Sequence, residues 1–190
     1  MIERQITTGA NMRQAIEFSR KGSTAHATRE DFCRIFSEDM DSLYLLGLLL
    51  TADAGKAEQC FVAGIGDSVE GNAVFREWAR SWARRTIIRQ AIGVIEPAKD
   101  RLTIEGRDPV RLNIEPRLLA ILKLDTLERF VFVMSVLEGY SDQDCSILLG
   151  CSRQTIISTR ARALEHLASA DQVVATHADK LQSAYALAAN

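Results

Sequence analysis

Apolar residues recur at steps of three and four over Phe32, Ile35, Phe36, Met40, Leu43, Leu46 and Leu50. They predict an amphipathic helix from a Thr28/Asp31 capping box to about Thr51. Asp53 can cap a second helix through Ala57, Cys60, Phe61 and Ile65, and Gly64, Gly66 and the polar run from Asp67 to Asn72 then predict a loop. A third helix follows, with Phe75, Trp78 and Trp82 on one face, where their spacing assigns them to a core. All three prolines, Pro97, Pro109 and Pro116, fall in the stretch after Val94, which reads as a linker. Beyond it, Leu118, Ile121, Leu122 and Leu124 mark a short helix, Asp125 or Thr126 interrupts, and Phe130, Val131, Val133, Met134 and Leu137 mark the next.

The sharpest local pattern comes after that. Gly139 stops a helix, Ser141 with Asp144 opens a short one, Gly150 ends it, and Ser152 caps another that begins at Arg153. Two short helices around a tight glycine turn are the signature of a helix-turn-helix. Cys145, Leu148, Leu149, Ile156, Ala163 and Leu167 share the face that packs, leaving Arg153, Gln154, Ser158, Thr159 and Arg162 to project. With Thr155 these are the candidate DNA-binding residues, because Arg and Gln can fork onto base edges in the major groove. A helical hairpin inside an ordinary bundle would use the same caps and glycines.

The fold class is therefore all-α. It comprises two small domains: a three-helix bundle at 29–95 and a four-helix helix-turn-helix unit at 117–170. A proline-containing linker at 96–116 joins them, a mobile arm covers 1–28, and a last helix covers 171–190, marked by Val173, Val174, His177, Leu181 and Tyr185.

Charge narrows the function. The 190 residues carry a formal net charge of −2, so nucleic-acid contact must come from local clusters rather than a global basic field. One such cluster is Arg76, Arg80 and Arg84, stacked along the third helix, with Arg85 and Arg89 extending its tryptophan side. Basic stripes beside aromatics suit a single strand, and a solvated face would carry the same charges. The cysteines at 33, 60, 145 and 151 lack paired-ligand spacing, and the histidines do not cluster with them, so no metal or other cofactor is expected. No phosphate-cradling loop or nucleophile–base set points to an enzyme. The N-terminus has no signal-peptide core, and Leu43 to Leu50 is too short to span a bilayer, so a cytoplasmic protein without membrane contact is expected.

The order of these pieces resembles the bacterial RNA polymerase sigma factors of the sigma-70 family, in their small two-domain extracytoplasmic-function form. Leu124-Asp-Thr-Leu-Glu-Arg129, Leu137-Glu-Gly139-Tyr-Ser141, Leu149-Gly150-Cys-Ser152 and Thr155-Ile156 look like the family's promoter-reading fourth region. Leu50-Thr51, Ala57-Glu58, Phe75-Arg-Glu-Trp78 and Ala83-Arg84 look like a divergent second region, which in the family docks on polymerase and grips the melted strand. The resemblance implies promoter DNA and core RNA polymerase as partners, admits an anti-sigma factor, and makes Arg76, Arg80, Arg84, Arg85 and Arg89 the promoter-strand candidates. There are departures. Asp125 replaces a proline, Gln59 to Ala63 lack the family's acidity, and Ile157 and Thr159 stand where basic residues are common. These weaken the implied polymerase contact and leave a second option: a degenerate homologue that binds DNA or a protein without engaging polymerase. In that option, exposed Ile147 and Ile157 would mark a protein contact.

Overall fold

Asp39 divides the first amphipathic stretch in two. The computed structural model of the protein describes residues 25–71, 73–98 and 116–188, with side chains in the last segment over 118–170. Helix α1 covers Arg29–Glu38 and α2 covers Met40–Thr51, where one helix from Thr28 to Thr51 was expected. The Asp39 backbone both closes α1 and opens α2, accepting from Leu43 and donating to Ile35. Aspartate is a poor helix-interior residue, and its carboxylate here is drawn aside to Arg80. The Thr28/Asp31 capping box forms as expected.

Helix α3 spans Ala54–Glu70 and passes through Gly64 and Gly66, where a loop was expected. Gly64 serves close packing: a Cβ there would lie 2.7 Å from the Ile87 Cδ1 of the neighbouring helix α4, Ala79–Ile95. A single turn of 3-10 helix, Arg76–Trp78, leads into α4. The second half holds α5, Pro116–Leu122, and α6, Thr126–Phe132, which continues into a wider π turn, Val133–Leu137. Helix α7, Asp142–Leu149, and the long α8, Arg153–Ala188, complete it.

The halves pack on each other. Helix α2 lies against α5, α6 and the π turn, and α4 lies against α7. Buried side chains form one contiguous cluster running from Phe32, Leu43, Leu50 and Ile87 to Phe130, Met134, Cys145, Leu149, Ile156 and Ala163. The described residues are helical apart from connecting turns and an isolated antiparallel bridge between His26 and Phe75. None of their helices is long and apolar enough to cross a membrane. The 171–190 segment, expected as a separate helix, has backbone continuous with α8 as far as Ala188. The side chains proposed to mark it lie outside the described residues, as do 1–24 of the arm and 99–115 of the linker.

Candidate nucleic-acid interface

Local hydrogen bonding builds the helix-turn-helix. Gly139 takes φ +71° after the π turn, a left-handed value that a side chain would strain. Ser141 Oγ then accepts from the Asp144 amide at 3.1 Å and donates to the Asp144 carboxylate at 2.6 Å, starting α7. Gly150, at φ +64°, ends α7, and Ser152 Oγ accepts from the Thr155 amide at 3.1 Å to start α8. Ser146 Oγ donates to the Cys151 carbonyl at 2.6 Å and ties α7 to the turn. Burial holds the Cys145 thiol on the protonated side, with its pKa pushed up to about 11, and Asp142 and Asp144 add to the shift.

Two carboxylates fix the angle of α8. Asp142, at the start of α7, pairs with Arg160. Glu128 on α6, its side chain only 3 % exposed, receives Arg162 Nε at 3.3 Å and His166 Nδ1 at 2.9 Å. With α8 so held, Arg153, Gln154 and Ser158 face solvent and Thr155 is half-buried. Thr159 was expected to project but is 1 % exposed, because it falls on the inward stripe with Ile156 and Ala163. Arg162 is exposed on its outer side yet tied to Glu128. Ile147, Ile157 and Leu164 complete the exposed surface with apolar side chains.

The second surface runs along the 3-10 turn and α4. Phe75 and Trp78 are 45 % and 58 % exposed, against the core positions expected of them. The tighter 3-10 turn shifts their phase, so they leave the face of Trp82, which alone of the three is half-buried against the core. The rings of His26 and Phe75 stack at 4.8 Å and 21°, and Phe75 meets Trp78 edge-on at 5.3 Å. Backbone bonds from Ala27 to the Val74 carbonyl, 2.7 Å, and from Arg76 to the Ala25 carbonyl, 2.9 Å, hold this aromatic cluster in place.

Three arginines of that surface are each matched by acids. Arg76 forks onto Asp31 at 3.0 and 2.8 Å, and Arg80 pairs with Glu38 and Asp39. Arg84 grips Glu138 across the seam between the halves, with Nε to Oε2 at 2.6 Å. The Arg76 guanidinium, helped by the Thr28 amide, lowers the Asp31 pKa to about 2. The Glu138 carboxylate raises the Arg84 pKa further, outweighing the opposite effect of burial. Arg85 and Arg89 are exposed and form no ion pair among the described residues. A cleft of about 530 Å³ opens at the seam, lined by Ser81, Arg84, Leu137, Glu138, Tyr140 and Asp144. Sequence spacing found the arginine stripe but missed its acidic partners, which lie 41 to 54 positions away and leave no periodic signal.

Residues 118–167 match the protein family described as sigma-70, region 4. Among solved structures, the chain is similar to the sigma factor RpoE of Bartonella quintana, crystallised with the anti-sigma factor NepR. The TM-score is 0.46 and the identity 21 %, over 76 % of this chain and 98 % of that one. No curated protein matches the chain.

Proposed function

We propose, because residues 118–167 match the sigma-70 region 4 family, that the chain acts as an extracytoplasmic-function-type sigma factor directing core RNA polymerase to particular promoters. The observation that carries this reading is the capped turn from Ser141 to Ser152, which presents Arg153, Gln154 and Ser158 outward from the first turns of α8. Residues at the start of a recognition helix are those that reach base edges. In this reading α8 meets an upstream promoter element, and α4 with its flanking aromatics meets the downstream strand as it opens. Unstacked bases would find the exposed rings of Phe75 and Trp78, and phosphates would find Arg85 and Arg89.

A second reading has its own support. Arg160 and Arg162 are tied to carboxylates, while Ile147, Ile157 and Leu164 are exposed on the same helices, a surface poorer in free cations and richer in apolar groups than phosphate contact favours. In that reading the protein regulates through DNA or protein contact without polymerase. Capture on immobilised core RNA polymerase, together with footprinting of both the captured complex and the free protein on promoter fragments, separates the two. Stable capture with a sequence-specific footprint supports the sigma reading, and a footprint without capture supports the regulator. Neither capture nor footprint would overturn the DNA-directed reading altogether.

A further inference from the structure

Of the acids that neutralise the arginine stripe of the 3-10 turn and α4, one comes from the other half of the molecule. Arg76 and Arg80 are satisfied by Asp31, Glu38 and Asp39, all within residues 29–95. Arg84 is satisfied by Glu138, in the turn that leads into the helix-turn-helix. The guanidinium uses two nitrogens on the two carboxylate oxygens, the same fork it would offer to a phosphate. The Glu138 side chain is 9 % exposed and that of Arg84 36 %, so the acid is shielded in the seam while the cation keeps an open side.

We propose that Glu138 is an internal competitor for nucleic-acid phosphate at Arg84, and that the contact it makes keeps the two halves docked until a strand displaces it. The proposal rests on the reading of α4 as a nucleic-acid surface. Glu138 brings one negative charge to one arginine. A strand brings several, and the exposed Arg85 and Arg89, which form no ion pair among the described residues, lie one and five positions further along the same helix to receive them. A strand therefore replaces the carboxylate with more contacts than it removes, whereas an isolated anion does not. Once displaced, Glu138 no longer bridges α4 to the turn, and the packing of α4 on α7 loses its charged tie. Strand binding and separation of the halves are thereby coupled through one residue.

The test uses the full chain, a fluorescently labelled single-stranded oligonucleotide followed by anisotropy over a salt series, and small-angle scattering without DNA. Glu138→Gln is expected to bind the oligonucleotide several-fold more tightly. Its logarithmic salt slope should steepen by about 0.7, the value of one single-strand phosphate contact, and its radius of gyration should exceed that of the wild type. Adding Arg84→Ala should abolish the gain in affinity. The swap of Arg84→Glu with Glu138→Arg restores the pair, so it should keep the wild-type radius and gain no affinity, and it serves if Glu138→Gln folds poorly. Glu138→Gln with wild-type affinity, slope and radius, while Arg84→Ala alone weakens binding, would overturn the competitor and leave the α4 surface standing. Expansion of Glu138→Gln with no variant binding the oligonucleotide would overturn the α4 reading and the competition that rests on it.

Discussion

Arg129, fully buried on α6, donates from Nε to the Leu50 carbonyl, 3.1 Å away in the last turn of α2. Its Nη1 donates to the Leu124 carbonyl at 2.9 Å, so one guanidinium satisfies carbonyls from both halves. A cation at a helix C-terminus also opposes the partial negative charge there. Arg129→Ala strands both carbonyls in a dry seam, at about 1–3 kcal/mol for each group left without a partner. We expect a loss of about 3 kcal/mol in urea unfolding. Arg129→Lys should recover only part of it, because an ammonium lacks the planar fork that serves two divergent acceptors. A stability equal to wild type in Arg129→Ala would mean that the seam does not bear on folding.

Acid should weaken the first half through Asp31. Its carboxyl has a pKa of about 2 in the folded chain against an ordinary value of 3.8, lowered first by Arg76 and then by the Thr28 amide. A carboxylate whose folded pKa is depressed contributes stability above its unfolded pKa and loses that contribution as pH falls through the folded one. Asp31→Asn should therefore melt below the wild type at neutral pH, and the difference should close between about pH 4 and pH 2. Melting curves followed by circular dichroism across that range test it. A gap that persists unchanged to pH 2 would assign the effect to packing and not to charge.

Two glycines of α3 make opposite predictions. Nothing lies within 4 Å of a Cβ added at Gly66, so Gly66→Ala should gain about 0.5–1 kcal/mol from helix propensity alone. At Gly64 the added carbon meets Ile87 Cδ1 at 2.7 Å and Thr86 Oγ1 at 3.4 Å, and Ile87 is fully buried. Overpacking of this kind costs about 1–3 kcal/mol, which should outweigh the propensity gain and lower the melting temperature. Thermal scans of the two single variants decide it, and equal shifts would remove the close approach of α3 and α4 as the reason for Gly64.

Thiol reactivity should follow burial. Cys33 is exposed, whereas Cys60 and Cys145 are buried and burial pushes both thiols up, Cys145 to about 11. With a thiol-specific reagent at pH 8, Cys33 should label quickly in the native protein, and Cys60 and Cys145 only as the chain unfolds. Rapid native labelling of Cys145 would show that α7 opens locally.

What the sequence revealed depends on how far apart the interacting residues are. The turn from Gly139 to Ser152 was legible because its caps and left-handed residues act within a few positions. The core stripe of Cys145, Leu149, Ile156 and Ala163 was legible by period. Arg129 with Leu50 lies 79 positions apart and Arg84 with Glu138 lies 54, and no local pattern announces either. Phe75 and Trp78 were misplaced because an α-helical period was carried back into a 3-10 turn, and Thr159 because a polar type outweighed its place on the inward stripe. The loop expected after Ile65 failed for another reason: glycine there permits helix contact and does not break the helix.

On the proposed sigma reading, the placement of side chains on α8 separates two kinds of effect on DNA recognition. Arg153 and Gln154 are exposed at its first turn, so Arg153→Ala and Gln154→Ala should each lose about 1–3 kcal/mol of discrimination between a selected promoter and random duplex. If Arg162, exposed but tied to Glu128, contacts phosphate, Arg162→Ala should weaken both duplexes alike and lower the salt slope by about one. Thr159 is buried beside Ile156 and Ala163, so Thr159→Val should change the melting temperature and leave discrimination as it was. Competition binding with both duplexes at two salt concentrations distinguishes these cases. If Thr159→Val relaxed specificity while Arg153→Ala did not, the outward face of α8 would not be the reading face.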